Sequence, residues 1–418
     1  MKAEILSTGD EISKGAVVDS NSAYIAEKLE DAGVEVTRHN CVGDDLENLV
    51  SILREIGSRS DIAIVTGGLG PTTDDLSSMA AAKAAGVELL LNDTAFQSMK
   101  KFFENMKGGI GTKSDQKQAL LPEGSECLIN PVGTAPGFVL NINKCKTFFL
   151  PGVPHEMMRM LGDQVLPRID KLLGNEIVFN KTRILSVFGL AESAVSEYLE
   201  NINEIFSDIK IGLRAKFPEI NIKLYVRGND EHGLNMLLDN AQGWILEKIG
   251  KWVFSVEEKS MEEELGKILA EKKATLAVAE SCTGGLISNM ITNVAGSSDY
   301  FLFSGVTYTN QSKIDILGVS PETIRDCGAV HEQTVKEMAQ GAIKISGATY
   351  GIATSGIAGP GGGTDEKPVG TLCIGIATPI EVKTFTFNLN FGKRVMNKTI
   401  FAMIALELLR KELLGIPA

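Results

Sequence analysis

The stretch Ala279-Glu280-Ser281-Cys282-Thr283-Gly284-Gly285 sits between an apolar, strand-like run from Ala274 to Val278 and a helical pattern from Leu286 to Ile291. A strand thus ends in a tight turn of small residues that opens a helix, the recurring joint of an α/β fold. The turn brings the Ser281 hydroxyl, the Cys282 thiol and the Thr283 hydroxyl to the helix N-terminus. Free N–H groups and the positive end of the helix dipole favour an anion or a developing oxyanion there. An elbow of this kind can hold an attacking oxygen in place. Read blandly, the same residues are an N-cap with glycines that only permit the turn.

The residues around the turn add chemistry to it. Residues of about 258–418 read as one α/β unit, entered by a helix capped at Ser260 with Glu263 three residues on. A strand from Tyr300 to Thr309 runs into Tyr308-Thr309-Asn310-Gln311-Ser312-Lys313, and an apolar strand from Tyr350 to Thr354 runs into Ser355-Gly356-Ile357-Ala358-Gly359. Ser281 offers a nucleophile. Lys313, on a loop after a strand, can serve as its base where desolvation strips the proton from the amine. Taken alone, Lys313 is a solvated lysine. Tyr308 would relay the proton or orient the lysine, and the Ser355-Gly356 turn would supply oxyanion-hole N–H groups. Cys282 is the rival nucleophile, since a thiolate at a helix N-terminus has a lowered pKa, but no histidine in the neighbouring motifs pairs with it. Arg394 and Lys398 lie four apart at the start of the final helix, share a face and suit a ligand phosphate. His331 falls at a helix N-cap and reads as a packing or surface residue.

Residues 1–170 alternate strands (Ala3 to Ser7, Val34 to Val42, Asp61 to Thr66) with helices (Asn21 to Ala32, and one capped by Asp44 or Asp45 through Ile56). That order predicts a parallel sheet covered on both faces, with ligands at the carboxyl ends of its strands. Those ends read Ser7-Thr8-Gly9-Asp10-Glu11 and Thr66-Gly67-Gly68-Leu69-Gly70-Pro71-Thr72-Thr73-Asp74-Asp75. Two further loops, Asn130-Pro131-Val132-Gly133-Thr134-Ala135-Pro136-Gly137 and Leu150-Pro151-Gly152-Val153-Pro154, add to the set. Glycines allow backbone N–H groups to approach phosphate oxygens, and carboxylates can hold a divalent cation that bridges them. Charge and placement nominate Asp44, Asp74 and Asp75 as metal ligands, one of the Asp74/Asp75 pair being expected to cap the following helix instead.

Residues of about 175–255 have another texture. A hairpin around Pro218 carries Ile220, Ile222, Leu224 and Val226 at period two, and a helix follows from about His232 to Ile249. This small α+β module has no Gly-rich ligand loop and reads as a spacer. The chain has 418 residues, two to three domains' worth, with a formal net charge of −12. That acidity argues against broad binding of nucleic-acid phosphates. No apolar run is long enough for a membrane span. Six scattered cysteines without CxxC spacing, and an N-terminus without a signal-peptide pattern, point to a reducing cytoplasm.

With these residues assembled, the chain resembles the CinA family (competence/damage-inducible protein A) over essentially its whole length. Gly9-Asp10-Glu11, Asn21-Ser22, Val42-Gly43-Asp44-Asp45, the Thr66–Asp75 loop, Gln118-Ala119, Gly133-Thr134-Ala135-Pro136-Gly137 and Leu150-Pro151-Gly152 resemble the family's molybdopterin-binding-like domain. The turn at Ser281, Tyr308 with Asn310 and Lys313, Gly328-Ala329-Val330, Ser355-Gly356-Ile357-Ala358-Gly359-Pro360 and Lys367-Pro368-Val369-Gly370-Thr371 resemble nicotinamide mononucleotide deamidase. The resemblance implies a three-layer domain over 1–172, a KH-like α+β linker over 173–256 and an α/β deamidase domain over 257–418. It implies that the last domain hydrolyses nicotinamide mononucleotide to nicotinate mononucleotide and ammonia, without a cofactor, with Ser281 attacking and Lys313 as base. Thr283 and Ser355 join them as catalytic candidates, and Gly284, Gly285, Asn310, Gly356, Gly359, Arg394 and Lys398 as substrate contacts. The first domain would cleave ADP-ribose at its pyrophosphate with Mg2+ or Co2+, and K+ as a further ion. Its substrate contacts would come from Gly9, Asp10, Glu11, Thr66, Gly67, Gly68, Gly133, Thr134, Pro151 and Gly152. The family implies a homodimer. Two rival readings are molybdopterin adenylylation by the first domain and a non-catalytic, nucleotide-sensing role in competence or DNA damage. One departure stands out: the family usually shows Gly-Asp-Arg where this chain has Gly392-Lys393-Arg394, and Lys398 replaces a common second arginine. Lysine keeps the charge but lacks the bidentate fork.

Overall fold

The fold is that of a computed structural model, which describes residues 1–105, 115–174 and 179–417. The chain divides into two compact units, residues 1–182 with 226–236, and residues 183–225 with 237–418.

In the first unit β1 (Lys2–Thr8), β2 (Glu35–Val42), β3 (Ile62–Thr66), β6 (Glu126–Leu128), β7 (Gly137–Ile142) and β8 (Cys145–Leu150) form a sheet in the order β2-β1-β3-β8-β7-β6. Between β3 and β6 in the chain, β4 (Leu89–Leu91) and β5 (Leu120–Pro122) pair as a separate ribbon. The expected parallel arrangement holds from β2 to β8, whereas β7 runs antiparallel to both β8 and β6. Ile142 pairs with Cys145 across the two-residue turn Asn143-Lys144, and Asn143 adopts the left-handed conformation that such a turn requires. A tight hairpin there forces the antiparallel edge.

Alternation decides the layers. Leu6, Val65 and Phe149 point into one apolar cluster, and their chain neighbours Ile5, Ile64 and Phe148 into another on the opposite face. Phe138 stacks on Phe149 with centroids 4.3 Å apart. Glu4 is the buried charge of β1. Arg59 grips its carboxylate through Nε (2.7 Å) and Nη2 (2.8 Å), and Asn40 and Ser60 donate to it as well. The Arg59 hydrogen bond leads in holding its pKa down at about 2.

The second unit holds two sheets. β9 (Phe179–Phe188), β10 (Lys210–Lys216), β11 (Glu219–Gly228) and β12 (Val253–Ser255) are ordered β10-β11-β9-β12, and Lys216 pairs with Glu219 across the expected turn at Pro218. β13 (Leu276–Glu280), β14 (Phe301–Val306), β15 (Tyr350–Gly356), β16 (Thr371–Ala377) and β17 (Val382–Asn388) are ordered β14-β13-β15-β16-β17. β13 runs parallel to β14 and β15, so their carboxyl ends share one edge, and β16 runs antiparallel to β15. Leu276 and Val278 pack on the final helix, Arg394–Leu414, through a cluster that also takes in Phe188 and Phe254 of the smaller sheet. Ala277 and Ala279 face the helix Glu332–Ser346 instead.

Candidate active sites

At the edge where β13, β14 and β15 end, the Ser281 turn is held from three directions. Glu280, fully buried, is the first hold. Its carboxylate accepts N–H bonds from Gly285 (2.9 Å), Ile287 (3.2 Å) and Ser288 (2.9 Å), and the Ser288 hydroxyl (2.6 Å). Thr283 is the second, its hydroxyl sharing a 2.8 Å bond with that of Thr354, both fully buried. Third, Ser281 N–H donates to the Thr354 carbonyl on β15. Gly284 (φ +62°) and Gly285 (φ +91°) close the turn in the left-handed region, where a Cβ would be strained. The helix Leu286–Thr292 that follows therefore presents its first N–H groups to Glu280. This corrects the expectation that they stay free for an oxyanion, because the chain supplies its own anion. Thr283 is likewise a clamp on β15 rather than an exposed hydroxyl.

Lys313 is where the structure departs furthest from the loop expected. It lies in the helix Asn310–Leu317, which starts one turn earlier because the Thr309 side chain accepts the Ser312 N–H as its N-cap. Its side chain is fully buried. Nζ donates to Ser281 Oγ (3.1 Å), to the Thr307 carbonyl (2.7 Å) and to the Tyr308 carbonyl (3.4 Å). Burial lowers its pKa from the ordinary lysine value. Cys282 answers the rival reading in the opposite sense. Its thiol is buried, and burial pushes its pKa up to about 12. It packs against Gly356, where a Cβ would come within 3.3 Å of Sγ.

Other expected groups take other work. Tyr308 reaches Lys313 through its carbonyl, while its phenol, 59% exposed, accepts from Arg394 Nη2 at 3.0 Å. Ser355 and Gly356 are the last residues of β15, opposite Cys373 and Leu372, rather than a turn, and the Ser355 hydroxyl donates to the Ala329 carbonyl. Gly359 offers its carbonyl to Arg394 Nη1 (2.6 Å), and Asn310 is exposed at the first turn of its helix. Lys398 Nζ lies 3.3 Å from where a Cβ on Gly284 would sit. His331 caps the helix Glu332–Ser346, accepting the Gln333 N–H, as read from the sequence. Glu280 and Asn397 escaped the sequence reading. Asn397, buried, ties Ala358 to Phe391 by donating to one and accepting from the other. The available signal for Glu280 was a lone acid between Ala279 and Ser281 at the end of an otherwise apolar strand.

The first unit has a cleft of about 530 Å³ at the ends of β1, β3 and β8. Gly9, Glu11, Asp44, Thr66, Gly67, Gly68, Asp74, Asp75, Thr134, Pro151 and Gly152 line it. Asp10 and Gly133 do not. Asp10 is paired with Lys14, its N–H donates to the Asp44 carboxylate and its own carboxylate accepts the Asp44 N–H, and Gly133 lies against the Glu156 carboxylate. The glycines mainly let loops pack on one another. A Cβ at Gly67 would strike the Thr8 carbonyl (2.5 Å), and one at Gly68 the Ser77 hydroxyl (2.4 Å). The N–H groups of Gly9 and Gly67 already donate to Val42 and Leu150. The Thr66 hydroxyl donates to the Pro151 carbonyl, and the Asn21 amide donates to the Thr66 hydroxyl and the Gly152 carbonyl.

Of the expected cation ligands, Asp75 turns its Oδ2 back to the Thr72 N–H (2.8 Å) and hydroxyl (2.6 Å). Neither it nor Asp74 caps the next helix, Ser77–Ala85, whose N-cap is Leu76. Burial raises the Asp44 pKa, aided by the carboxylates of Asp10, Glu11 and Asp74. Asp74 is lowered, mainly by a hydrogen bond from Thr72. Among the described residues no three His, Cys, Asp or Glu side chains converge as a metal cage. Two carboxylates on an open cleft fit a hydrated hard cation that shares its shell with substrate oxygens. Asn21 and Gln118, both buried, line the same cleft with an unpartnered side-chain oxygen each, as does the Ser7 hydroxyl. Buried polar atoms without partners mark places where a ligand or water completes the bonding.

Among the described residues no helix is long and apolar enough to cross a membrane. Three family models match the chain: a probable molybdopterin binding domain at residues 4–171, the KH domain of damage-inducible protein CinA at 182–255, and the CinA C-terminal domain at 258–413. A CinA-like protein of Desulfosudis oleivorans is 52% identical over 414 residues, covering 99% of this chain and 100% of the relative. A CinA-like protein of Citrifermentans bemidjiense is 42% identical over 414 residues, covering 99% and 98%. The crystal structure of a competence/damage inducible protein from Agrobacterium tumefaciens is 38% identical, covering 36% of this chain and 95% of that one, with a TM-score of 0.35. Matched across the full length of both sequences at such identity, the chain belongs to the CinA family.

Proposed function

We propose that the C-terminal domain deamidates nicotinamide mononucleotide and that the N-terminal domain cleaves the pyrophosphate of ADP-ribose, two steps of pyridine-nucleotide recycling. The observation that carries the first half is the 3.1 Å contact between Ser281 Oγ and a fully buried Lys313 Nζ. A neutral amine keeps two N–H bonds, matched by the Thr307 and Tyr308 carbonyls, and directs its lone pair at the serine hydroxyl. Ser281 Oγ attacks the carboxamide carbon while its proton passes to Lys313 Nζ. The carbonyl oxygen becomes an oxyanion. The N–H groups of Cys282 and Thr283, which follow Ser281 in the turn, are the donors assigned to it. Lys313 returns the proton to the amide nitrogen, the C–N bond breaks and ammonia leaves. Water, deprotonated by Lys313, then hydrolyses the serine ester to release the carboxylate and restore Ser281.

In the first unit the cleft's glycine-walled floor and unpartnered amides suit a dinucleotide-like substrate. Water attacks one phosphorus and the bridging P–O bond breaks, giving two monophosphates. Asp44 and Asp74 are the residues that would hold a divalent cation, which would supply positive charge against the pyrophosphate. Asp75 and Thr72 brace the loop that presents Asp74. The test is ammonia release from nicotinamide mononucleotide, with ADP-ribose hydrolysis followed in parallel, for wild type and Ser281→Ala. Loss of deamidation alone supports both halves. A fully active Ser281→Ala protein moves the nucleophile elsewhere, and a folded wild type inert on both substrates removes the reading.

A further inference from the structure

Alternation along β11 sends Ile220, Ile222 and Leu224 to the core face of the four-stranded sheet and Glu219 and Asn221 to the other face. A second face of this kind is ordinarily solvated, yet Asn221 is only 4% exposed. It lines a cavity of about 510 Å³ that shares no residue with the cleft of the first unit or with the surroundings of Ser281. Ser186 of β9 lines the cavity too, as does the segment 257–260, which joins β12 to the helix Met261–Glu271.

The groups around this cavity are unevenly matched. The side-chain oxygen of Asn221 is buried without a hydrogen-bond partner. Two residues away on the same face, the Glu219 carboxylate is 12% exposed and has the Lys216 ammonium only at 4.0 Å. Burial raises its pKa from the ordinary carboxylate value, so it gains from a closer cation. Across the ladder Arg214 pairs with Asn221, and Lys216 with Glu219. Side chains opposed in this way have Cβ atoms about 5 Å apart. Lys259 is spent on Glu257, and the Glu263 carboxylate on the Ser260 N–H. Among the described residues neither Arg214 nor Glu258 makes an ion pair, and both line the cavity.

We propose that this cavity binds a free α-amino acid with a cationic side chain. The α-ammonium donates to Asn221 Oδ1 and the Glu219 carboxylate, Arg214 takes the α-carboxylate, and Glu258 takes the side-chain cation. A buried acceptor without a partner calls for a donor. The uncommitted guanidinium on the neighbouring strand calls for an anion beside that donor, and an amino acid carries both on one carbon. A polyamine would leave Arg214 facing like charge. A nucleotide would find no stacking surface, because no apolar or aromatic side chain lines the cavity. No three acids converge as a metal cage among the described residues. This binding is independent of the two activities proposed above, since it shares no residue with either.

The test is titration calorimetry of the full chain with L-lysine, beside cadaverine, which lacks only the carboxylate, and 6-aminohexanoate, which lacks only the α-ammonium. L-lysine is expected to bind and to raise the unfolding temperature. Each truncated analogue is expected to bind about tenfold or more weakly than L-lysine, as is L-lysine itself to Asn221→Leu. Arg214 is exposed at the rim, so Arg214→Met tests the site even where Asn221→Leu fails to fold. It should weaken L-lysine by about tenfold and leave cadaverine within about twofold, a split that general destabilisation does not produce. Absence of L-lysine binding at millimolar concentration overturns the proposal. So does cadaverine binding as tightly as L-lysine, the mark of a polyamine site, or wild-type affinity for L-lysine in Asn221→Leu or Arg214→Met.

Discussion

The two polar sites both lie at the carboxyl ends of parallel strands, yet they hold their groups in opposite ways. Around Ser281 the candidate nucleophile and base are buried and fixed by the chain's own hydrogen bonds. Glu280 takes the helix N–H groups, Thr283 is clamped to Thr354, and the position of the Lys313 amine is set by two carbonyls. In the first unit the carboxylates of Asp44 and Asp74 face an open cleft, and three buried polar atoms lack partners. The first site is complete before substrate arrives. The second is completed by what binds. A covalent mechanism needs the former, because nucleophile and base must meet at hydrogen-bond distance in the resting protein. Phosphoryl chemistry tolerates the latter, because its catalysis is mostly charge brought in with the substrate.

Removing the base should break this comparison most sharply. Lys313→Met is expected to cut deamidation by about a thousandfold or more, with ADP-ribose hydrolysis unchanged. Comparable loss of both activities would mean that the buried amine supports folding rather than chemistry, and circular dichroism of the variant checks that directly. Chelation gives the reverse pattern. EDTA should abolish ADP-ribose cleavage and leave ammonia release intact, and Asp74→Asn should lower the former by about tenfold or more.

The pH dependence sharpens the contrast further. Burial depresses the Lys313 pKa, so the catalytically competent neutral amine is lost as pH falls through that depressed value and gained as pH rises. The kcat/KM for deamidation should therefore climb with pH and level off below the ordinary lysine range of about 10.4. A flat profile would remove Lys313 as the base. The smallest effect is expected at Cys282. With its thiol pushed up to about 12 it is protonated at neutral pH, and Cys282→Ala should keep deamidation within about tenfold of wild type. Whatever it loses comes from the small cavity left beside Gly356.

Much of this was legible in the residues. The strand-turn-helix joint at Ser281 was readable because glycines at 284 and 285 after a short apolar run leave few alternatives, and the N-cap at His331 because the following helix is strongly periodic. The roles of Arg394, Tyr308 and Asp75 were not. Each depends on which of several nearby acceptors or donors a long or polar side chain meets, and those partners lie up to 86 residues away in the chain. The hairpin between β7 and β8 was missed because an Asn-Lys turn is a weak signal beside Asn-Gly.

By itself the sequence determined the α/β class, the order of the elements and the list of groups that could do chemistry, because period, glycine placement and small-residue turns act locally. Only the tertiary structure decided which of those groups meet and which are buried. It buried Lys313 against Ser281, so that desolvation favours the neutral amine, the form that the proposed base requires. It buried Cys282 against Gly356, so that the same effect makes the thiol inert. One physical term, the cost of charge away from water, favours the neutral form of both groups: a neutral amine has the lone pair the proposed base needs, whereas a neutral thiol is the poorer nucleophile.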